Sequence, residues 1–279
     1  MPCLLHLSDP HFGALEPIAA SVFLSHAADL APDITVLSGD LTMRARRDEL
    51  ESARDFVDAL PTPRLLIPGN HDVPGFNGPF SRFFAPFHRY RSYFGEDLEP
   101  ELILDGVHLV SLNSTRPFGL NLDWSEGFLT DHQISGMVSK FKAGLPDHFR
   151  VLILHHPLLA PSHHQRNVVS PLPELLAAMG KAKVDLVLCG HFHTSTLATA
   201  GTIGGWASVV SQAPTVCSTR IQGEPQGFHK ISISNNRLEI TPFVFAKDRF
   251  LPRQSVHFHR GKDGWGREEQ SPANELLTT

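Results

Sequence analysis

With 279 residues, 41% of them apolar and 19% charged, the chain has the material for a substantial core and is too apolar to be disordered. A formal charge of -5 with no long basic run gives no strong nucleic-acid signal, leaving room only for a local basic patch, and no segment approaches the roughly 18 apolar residues of a membrane-spanning helix. Three scattered cysteines, Cys3, Cys189 and Cys217, make no disulfide framework, which favours a reduced, cytoplasmic setting, and the N-terminus does not read as a signal peptide.

In chain order, short apolar runs keep ending in residues that carry chemistry. Cys3–Leu7 reads as a buried strand leading into Ser8-Asp9-Pro10-His11, and Ile18–Leu30 as a helix. Ile34–Leu37 is a second strand, followed by Ser38-Gly39-Asp40, and Asp48–Leu60 a second helix stopped by Pro61. Arg64–Ile67 is a third strand, leading into Pro68-Gly69-Asn70-His71-Asp72. The aromatics of Phe80–Phe94 have near-helical spacing. Asp105-Gly106 between Glu101–Leu104 and Val107–Leu112 signals a hairpin, and Thr130 with Gln133 a capping box opening a helix to about Ala143. Val151–Leu154 runs into His155-His156-Pro157. After a short helix, Leu172–Met179, the strand Asp185–Leu188 leads to Gly190-His191-Phe192-His193. From Thr194 onward strands and turns dominate, with a second hairpin around Asn235-Asn236. A βαβ half thus precedes a β-rich half, giving an α/β chain with one domain over 1–260 and a polar C-terminal tail over 261–279.

Open α/β sheets place their sites at the C-terminal ends of strands, and five strands here deliver Asp, Asn or His to that edge. If the segments are extended, Asp9 and His11, two apart, share one face, as do His191 and His193. Asp40 offers two oxygens that can bridge two ions, Asn70 an uncharged oxygen, and His155 an imidazole nitrogen. Gly39, Gly69 and Gly190 each precede a candidate ligand, where a glycine permits a sharp turn or a close approach. Hard oxygens mixed with imidazoles and no thiolate suit two divalent transition ions such as Mn, Fe or Zn, the pairing used for in-line phosphoryl displacement.

Asp9-Pro10-His11, Gly39-Asp40, Gly69-Asn70-His71-Asp72, His155-His156-Pro157 and Gly190-His191-Phe192-His193 resemble, in order, the five blocks of the calcineurin-like metallophosphoesterases. That resemblance implies a four-layer αββα sandwich of two mixed sheets flanked by helices. It also implies that Asp9, His11, Asp40 and His193 bind one metal, and Asp40, Asn70, His155 and His191 the other. His71 would be the catalytic non-ligand, stabilising phosphate charge or protonating the leaving oxygen. Leu154 stands where many members carry glycine. Gly39-Asp40-Leu41-Thr42, the segment from Pro68 to Pro74 and Trp124–Leu129 look closest to the bacterial branch of cyclic-nucleotide phosphodiesterases and glycerophosphodiesterases.

The remaining residues weigh less. Asp72 reads as a structural residue orienting its loop, and His156 has an equal claim to face the site or pack away from it. His163 and His164 sit in a polar loop, and Arg44, Arg46 and Arg47 at a solvated helix start; each is a secondary candidate for substrate contact. The other histidines have no ligand-like partners. The expected activity is metal-dependent hydrolysis of a small phosphodiester, in a chain free to form a homo-oligomer. The alternatives are a phosphomonoesterase, a pyrophosphohydrolase, a repair-type nuclease, or a catalytically silent scaffold on the same fold.

Overall fold

The computed structural model describes residues 1–75, 79–117, 125–159, 168–201 and 205–268. Trp124, which opens the Trp124–Leu129 signature, and both loop histidines, His163 and His164, lie outside the described residues.

Strands β1 (Cys3–Leu7), β2 (Ile34–Leu37) and β3 (Arg64–Leu66) are parallel neighbours. They are linked by α1 (Pro17–Leu30) and α2 (Arg47–Asp58). Pro17 opens α1 where a missing N–H does no harm, and the Glu16 carboxylate accepts from the Ile18 N–H. Glu49 plays the same part for α2, accepting from the backbone N–H groups of Arg44 and Arg46. Two short helices follow, α3 (Pro79–Phe84) and α4 (His88–Phe94), so the aromatic stretch is helical but broken. The hairpin β4 (Glu101–Leu104) and β5 (Val107–Ser111) forms as expected. Next come α5 (Asp131–Ala143), β6 (Phe149–Ile153), α6 (Leu172–Ala182) and β7 (Leu186–Cys189), with β5, β6 and β7 parallel. Thr130 and Gln133 close the capping box on α5 reciprocally.

The rest of the chain is strand: β8 (Thr196–Gly201), β9 (Ala207–Gln212), β10 (Gly227–Ile233), β11 (Arg237–Ala246), β12 (Arg249–Pro252), β13 (Val256–Gly261) and β14 (Gly264–Arg267). β14 carries the sheet to Arg267, past residue 260, where the tail was expected to start. Among the described residues, no helix is long and apolar enough to cross a membrane.

Two separate sheets are not what the hydrogen bonds build. One mixed sheet runs β3-β2-β1-β10-β11-β13-β14-β9-β7-β6-β5-β4, with β12 paired to β11 and β8 to β9. Its halves meet at one register pair, Gly264 with Ala207. The reason is local: a Cβ on Gly264 would stand 2.3 Å from the Ala207 nitrogen, so only a glycine lets the two backbones close the seam.

Side chains explain the layering. β1 and β2 put Leu4, Ile34 and Val36 into a central cluster, where they share space with Leu109, Val151, Ile153, Leu186 and Leu188 from the other half. Their opposite faces, Leu5, Leu7 and Leu37, pack with Phe23 and Phe56 of α1 and α2. Val110, Leu152 and Val187 pack with Met137, Phe141 and Met179 of α5 and α6. Strands apolar on both faces are what the uninterrupted runs predict. This sandwiching fills most of the sheet faces with apolar side chains and leaves the strand ends open to polar ones.

Candidate metal centre

The loops after β1, β2, β3, β6 and β7 bring all seven predicted ligands together. Asp9, His11, Asp40 and His193 form one buried donor cluster, and His155 and His191 fall in a second together with His156. Asp40 joins the two, with Oδ2 3.6 Å from His11 Nε2 and 3.4 Å from His155 Nε2. Asn70 Oδ1 lies 3.1 Å from both His155 Nε2 and His191 Nδ1.

The backbone achieves this by a route other than the expected one. Asp9, His11, Asp40, His191 and His193 all have φ between 48° and 75°, the left-handed region that non-glycine residues rarely occupy. The pairs Asp9/His11 and His191/His193 are therefore not extended, and alternation along a strand is not what aligns them. Left-handed residues turn the chain sharply and aim consecutive side chains inward, a strained arrangement typical of functional sites. Backbone bonds hold it: the N–H groups of Asp9 and His11 donate to the carbonyls of Gly39 and Asp40. Gly39, at φ 102°, has no room for a side chain, since a Cβ would stand 2.5 Å from His155 Nδ1. At Gly190 a Cβ would fall 2.3 Å from Asp9 Oδ2.

Three imidazoles have their tautomer set by carbonyls, which can only accept. Nδ1 of His11, His155 and His193 donates to the carbonyl oxygens of Thr42, Ser38 and Arg220, at 3.3, 2.9 and 2.6 Å. Each Nε2 is thereby left facing the centre, able to take either a proton or a metal. His11 Nε2 and His193 Nε2 are only 2.9 Å apart, so both cannot be protonated without repulsion. Asp9 Oδ1, fully buried, lies 3.4 Å from His193 Nε2 and 3.7 Å from His11 Nε2 and receives no hydrogen bond.

The charges tell the same story. Burial opposes ionisation of Asp9, yet the neighbouring His193 imidazole, 3.4 Å from Oδ1, holds its carboxyl below the usual range. Burial opposes Asp40 too, and the charges of His155 and His71 pull it down. Burial disfavours a charged His155, but Asp40 outweighs it and raises the imidazole to about 9; Asp9 raises His193 in the same way. His11 and His191 are driven down to about 3, chiefly by burial. Two buried carboxylates thus demand positive charge between them, which divalent cations supply as well as protons do. The donor set fits such ions.

His71 stands beside the clusters rather than in them, its ring edge-on to His11 with centroids 4.9 Å apart. Its N–H donates to Asp40 Oδ1, its Nδ1 to the Met43 carbonyl at 2.8 Å, and its Nε2 lies 3.1 Å from Arg220 Nη1. Asp72 is structural. Its carboxylate accepts from the N–H groups of Leu41, Thr42 and Gly69 and from the Thr42 hydroxyl, pinning the β2 and β3 loops together. Burial, with Asp40 nearby, pushes its carboxyl up to about 7. His156 turns Nδ1 to the Ser114 hydroxyl at 2.8 Å while its ring packs 4.7 Å from that of His191. Arg44, Arg46 and Arg47 are exposed.

Sequence reasoning passed over Arg220, Ser38 and two buried histidines. His6 and His229 share the Ser211 hydroxyl. The chain of contacts continues from His6 Nε2 to Ser38 Oγ and from His229 Nε2 to Ser195 Oγ. No motif marks these residues, and only the three-dimensional fold brings them together.

Two candidate metal-binding clusters that meet at Asp40, at the strand ends of an α/β sheet, are consistent with the dinuclear centres of phosphoester hydrolases. The chain belongs to the calcineurin-like phosphoesterase family, whose model matches residues 4–195. It is 29% identical over 180 residues to a probable cyclic nucleotide phosphodiesterase of Synechococcus, covering 63% of this chain and 64% of that protein. It is 26% identical over 228 residues to the glycerophosphodiester phosphodiesterase GpdQ of Enterobacter lignolyticus, covering 76% and 78%. In structure it is similar to a purple acid phosphatase from yellow lupin, with a TM-score of 0.62 at 14% identity, covering 92% of this chain and 53% of the lupin protein. The likeness also extends to GAP50, an anchor in the inner membrane complex of Plasmodium, with a TM-score of 0.59 at 12% identity, covering 91% and 87%. These two likenesses concern the fold alone.

Proposed function

We propose that this chain hydrolyses small phosphodiesters, of the cyclic-nucleotide or glycerophosphodiester type, with two divalent transition ions (Mn, Fe or Zn). Asp9, His11, Asp40 and His193 would hold one ion, and Asp40, Asn70, His155 and His191 the other. The observation that carries this reading is the position of Asp40 Oδ2 between the two donor clusters. Such a pair of ions supplies Lewis acidity toward phosphate oxygens and lowers the pKa of water at the site.

The chain's own residues do the rest. The Thr42, Ser38 and Arg220 carbonyls keep three Nε2 atoms aimed at the centre, and His191 presents Nδ1 instead. Asn70 contributes an oxygen without a third negative charge, which would repel an anionic substrate. His71 stands over the phosphate position. With Nδ1 donating to the Met43 carbonyl, only Nε2 is left to act on the phosphate, and it stabilises developing charge or delivers a proton to the leaving oxygen only when it carries a proton of its own instead of accepting from Arg220 Nη1.

The diester preference is supported by what the two sequence relatives are named for, a cyclic nucleotide and a glycerophosphodiester. A phosphomonoesterase or pyrophosphohydrolase would use the same centre. GAP50, similar in fold, is an anchor in the inner membrane complex of Plasmodium; the gathering of six candidate ligands, Asp9, His11, Asp40, His155, His191 and His193, in two donor clusters supports the enzyme reading over a scaffold. The test is hydrolysis with Mn²⁺: bis-p-nitrophenyl phosphate is cleaved with higher kcat/KM than p-nitrophenyl phosphate. A clear preference for the monoester would assign the site to phosphatase chemistry, and cleavage of neither would return it to the scaffold reading.

A further inference from the structure

The loop between β9 and β10 lies outside the residues that define the family match, yet it reaches the centre. It is fastened to the loop after β1 at several points. Thr215 Oγ1 donates to the Asp9 carbonyl at 2.6 Å, and the Ser218 hydroxyl and Thr219 N–H donate to the Ala14 carbonyl. The N–H of Glu16 returns a bond to the Cys217 carbonyl. This places Arg220 rigidly. Its carbonyl accepts the proton of His193 Nδ1, its N–H donates to Ser218 Oγ, and its half-buried guanidinium touches His71 Nε2 and, at 3.7 Å, Met43 Sδ. Those side-chain contacts all pass through Nη1; among the described residues Nε and Nη2 make no hydrogen bond. A guanidinium offers five donors in a planar fork suited to phosphate oxygens, and here part of that fork is uncommitted. Arg44, Arg46 and Arg47, the cations nearest Asp40 in sequence, are exposed and not seated against the site in this way.

We propose that Arg220 is a substrate-binding residue: its guanidinium, beside His71, takes a non-bridging oxygen of the phosphate held at the centre. The inference rests on the phosphoesterase reading and names the group that receives the substrate's charge. Because the loop is tied to the Asp9 segment, the cation is positioned before substrate arrives and needs little reorganisation.

The test is calorimetric titration of Mn²⁺-loaded protein with inorganic phosphate, metal content being measured in every variant. Arg220→Ala weakens phosphate binding about tenfold to a hundredfold, the range for one charged hydrogen-bonding group, and Arg220→Lys recovers part of the loss. KM for bis-p-nitrophenyl phosphate rises by a similar factor while the metal content stays at the parent value. The loss persists when Arg220→Ala is made in a His71→Ala background. Unchanged phosphate affinity in Arg220→Ala overturns the proposal. So does a loss that vanishes without His71, since Arg220 would then act only by positioning that ring. A parent protein that binds phosphate but cleaves no diester rejects the diesterase reading and leaves the Arg220 comparison intact. A parent that binds no phosphate rejects both.

Discussion

Gly39→Ala is the substitution that most sharply probes how the backbone builds this centre. A methyl group there would stand 2.5 Å from His155 Nδ1, 2.9 Å from its Cγ and 3.0 Å from the Gly69 Cα, where ordinary contact begins at 3.4 Å. The ring must retreat by almost 1 Å, but its Nδ1 is bonded at 2.9 Å to the carbonyl of Ser38, the residue next to the substitution. Gly69 is backbone and cannot swing away. Alanine also has to adopt φ 102°, a strain of about 1–3 kcal/mol, and overpacking adds about 1–3 kcal/mol. The sum, about 2–6 kcal/mol, corresponds to a fall in Tm of roughly 5–20 °C at about 2–4 °C per kcal/mol. A ligand displaced by about 1 Å lowers kcat/KM on the order of a hundredfold. Thermal unfolding and hydrolysis of bis-p-nitrophenyl phosphate measure the two effects. Gly106→Ala is the control: that glycine also has a positive φ, 81°, but a Cβ there meets nothing within 4 Å. It should lose a little stability and no activity. If Gly39→Ala is no worse than Gly106→Ala in both assays, the close approach of His155 to this turn is not what shapes the centre.

Asp40→Ala is expected to lose more activity than His71→Ala and to lower the bound metal, because Asp40 faces both clusters and His71 belongs to neither; turnover near the parent's in Asp40→Ala would contradict this. Asp72→Ala strips the acceptor from three buried N–H groups and is expected to destabilise by about 3–5 kcal/mol, read from urea midpoints. His229 and His6 are buried neutral, with His229 driven down to about 3 by burial and His6 lowered well below its ordinary value, so folding favours their uncharged forms. Their stabilisation is complete above the unfolded value near 6.5 and is lost as pH falls below it, at about 1.4 kcal/mol per pH unit for each proton. Urea midpoints between pH 7 and 5 should fall in the parent protein and fall less steeply in His229→Gln; identical slopes would remove His229 from the account.

Much of the centre was legible because its donors follow short apolar runs that fit strands covered on both faces, and the glycines before Asp40, Asn70 and His191 mark where side chains crowd the turn. The capping box at Thr130 and the hairpin at Asp105-Gly106 were legible for the same reason: their signals are local. What escaped was non-local or conformational. Residue types do not announce that Asp9, His11, Asp40, His191 and His193 turn left-handed, since that strain is imposed by the loops packed around them. The single sheet depends on one backbone contact between Gly264 and Ala207, 57 residues apart in number, which no periodicity encodes. Arg220 sits in a loop without a motif, and its proximity to His71 comes from the bonds that fasten that loop to Asp9 and Ala14.

Whether the two donor clusters that meet at Asp40 would hold an ion each is measured most directly by elemental analysis of protein loaded with Mn²⁺ and freed of excess metal. The account predicts two ions per chain in the parent protein. One ion per chain, or none, would contradict it.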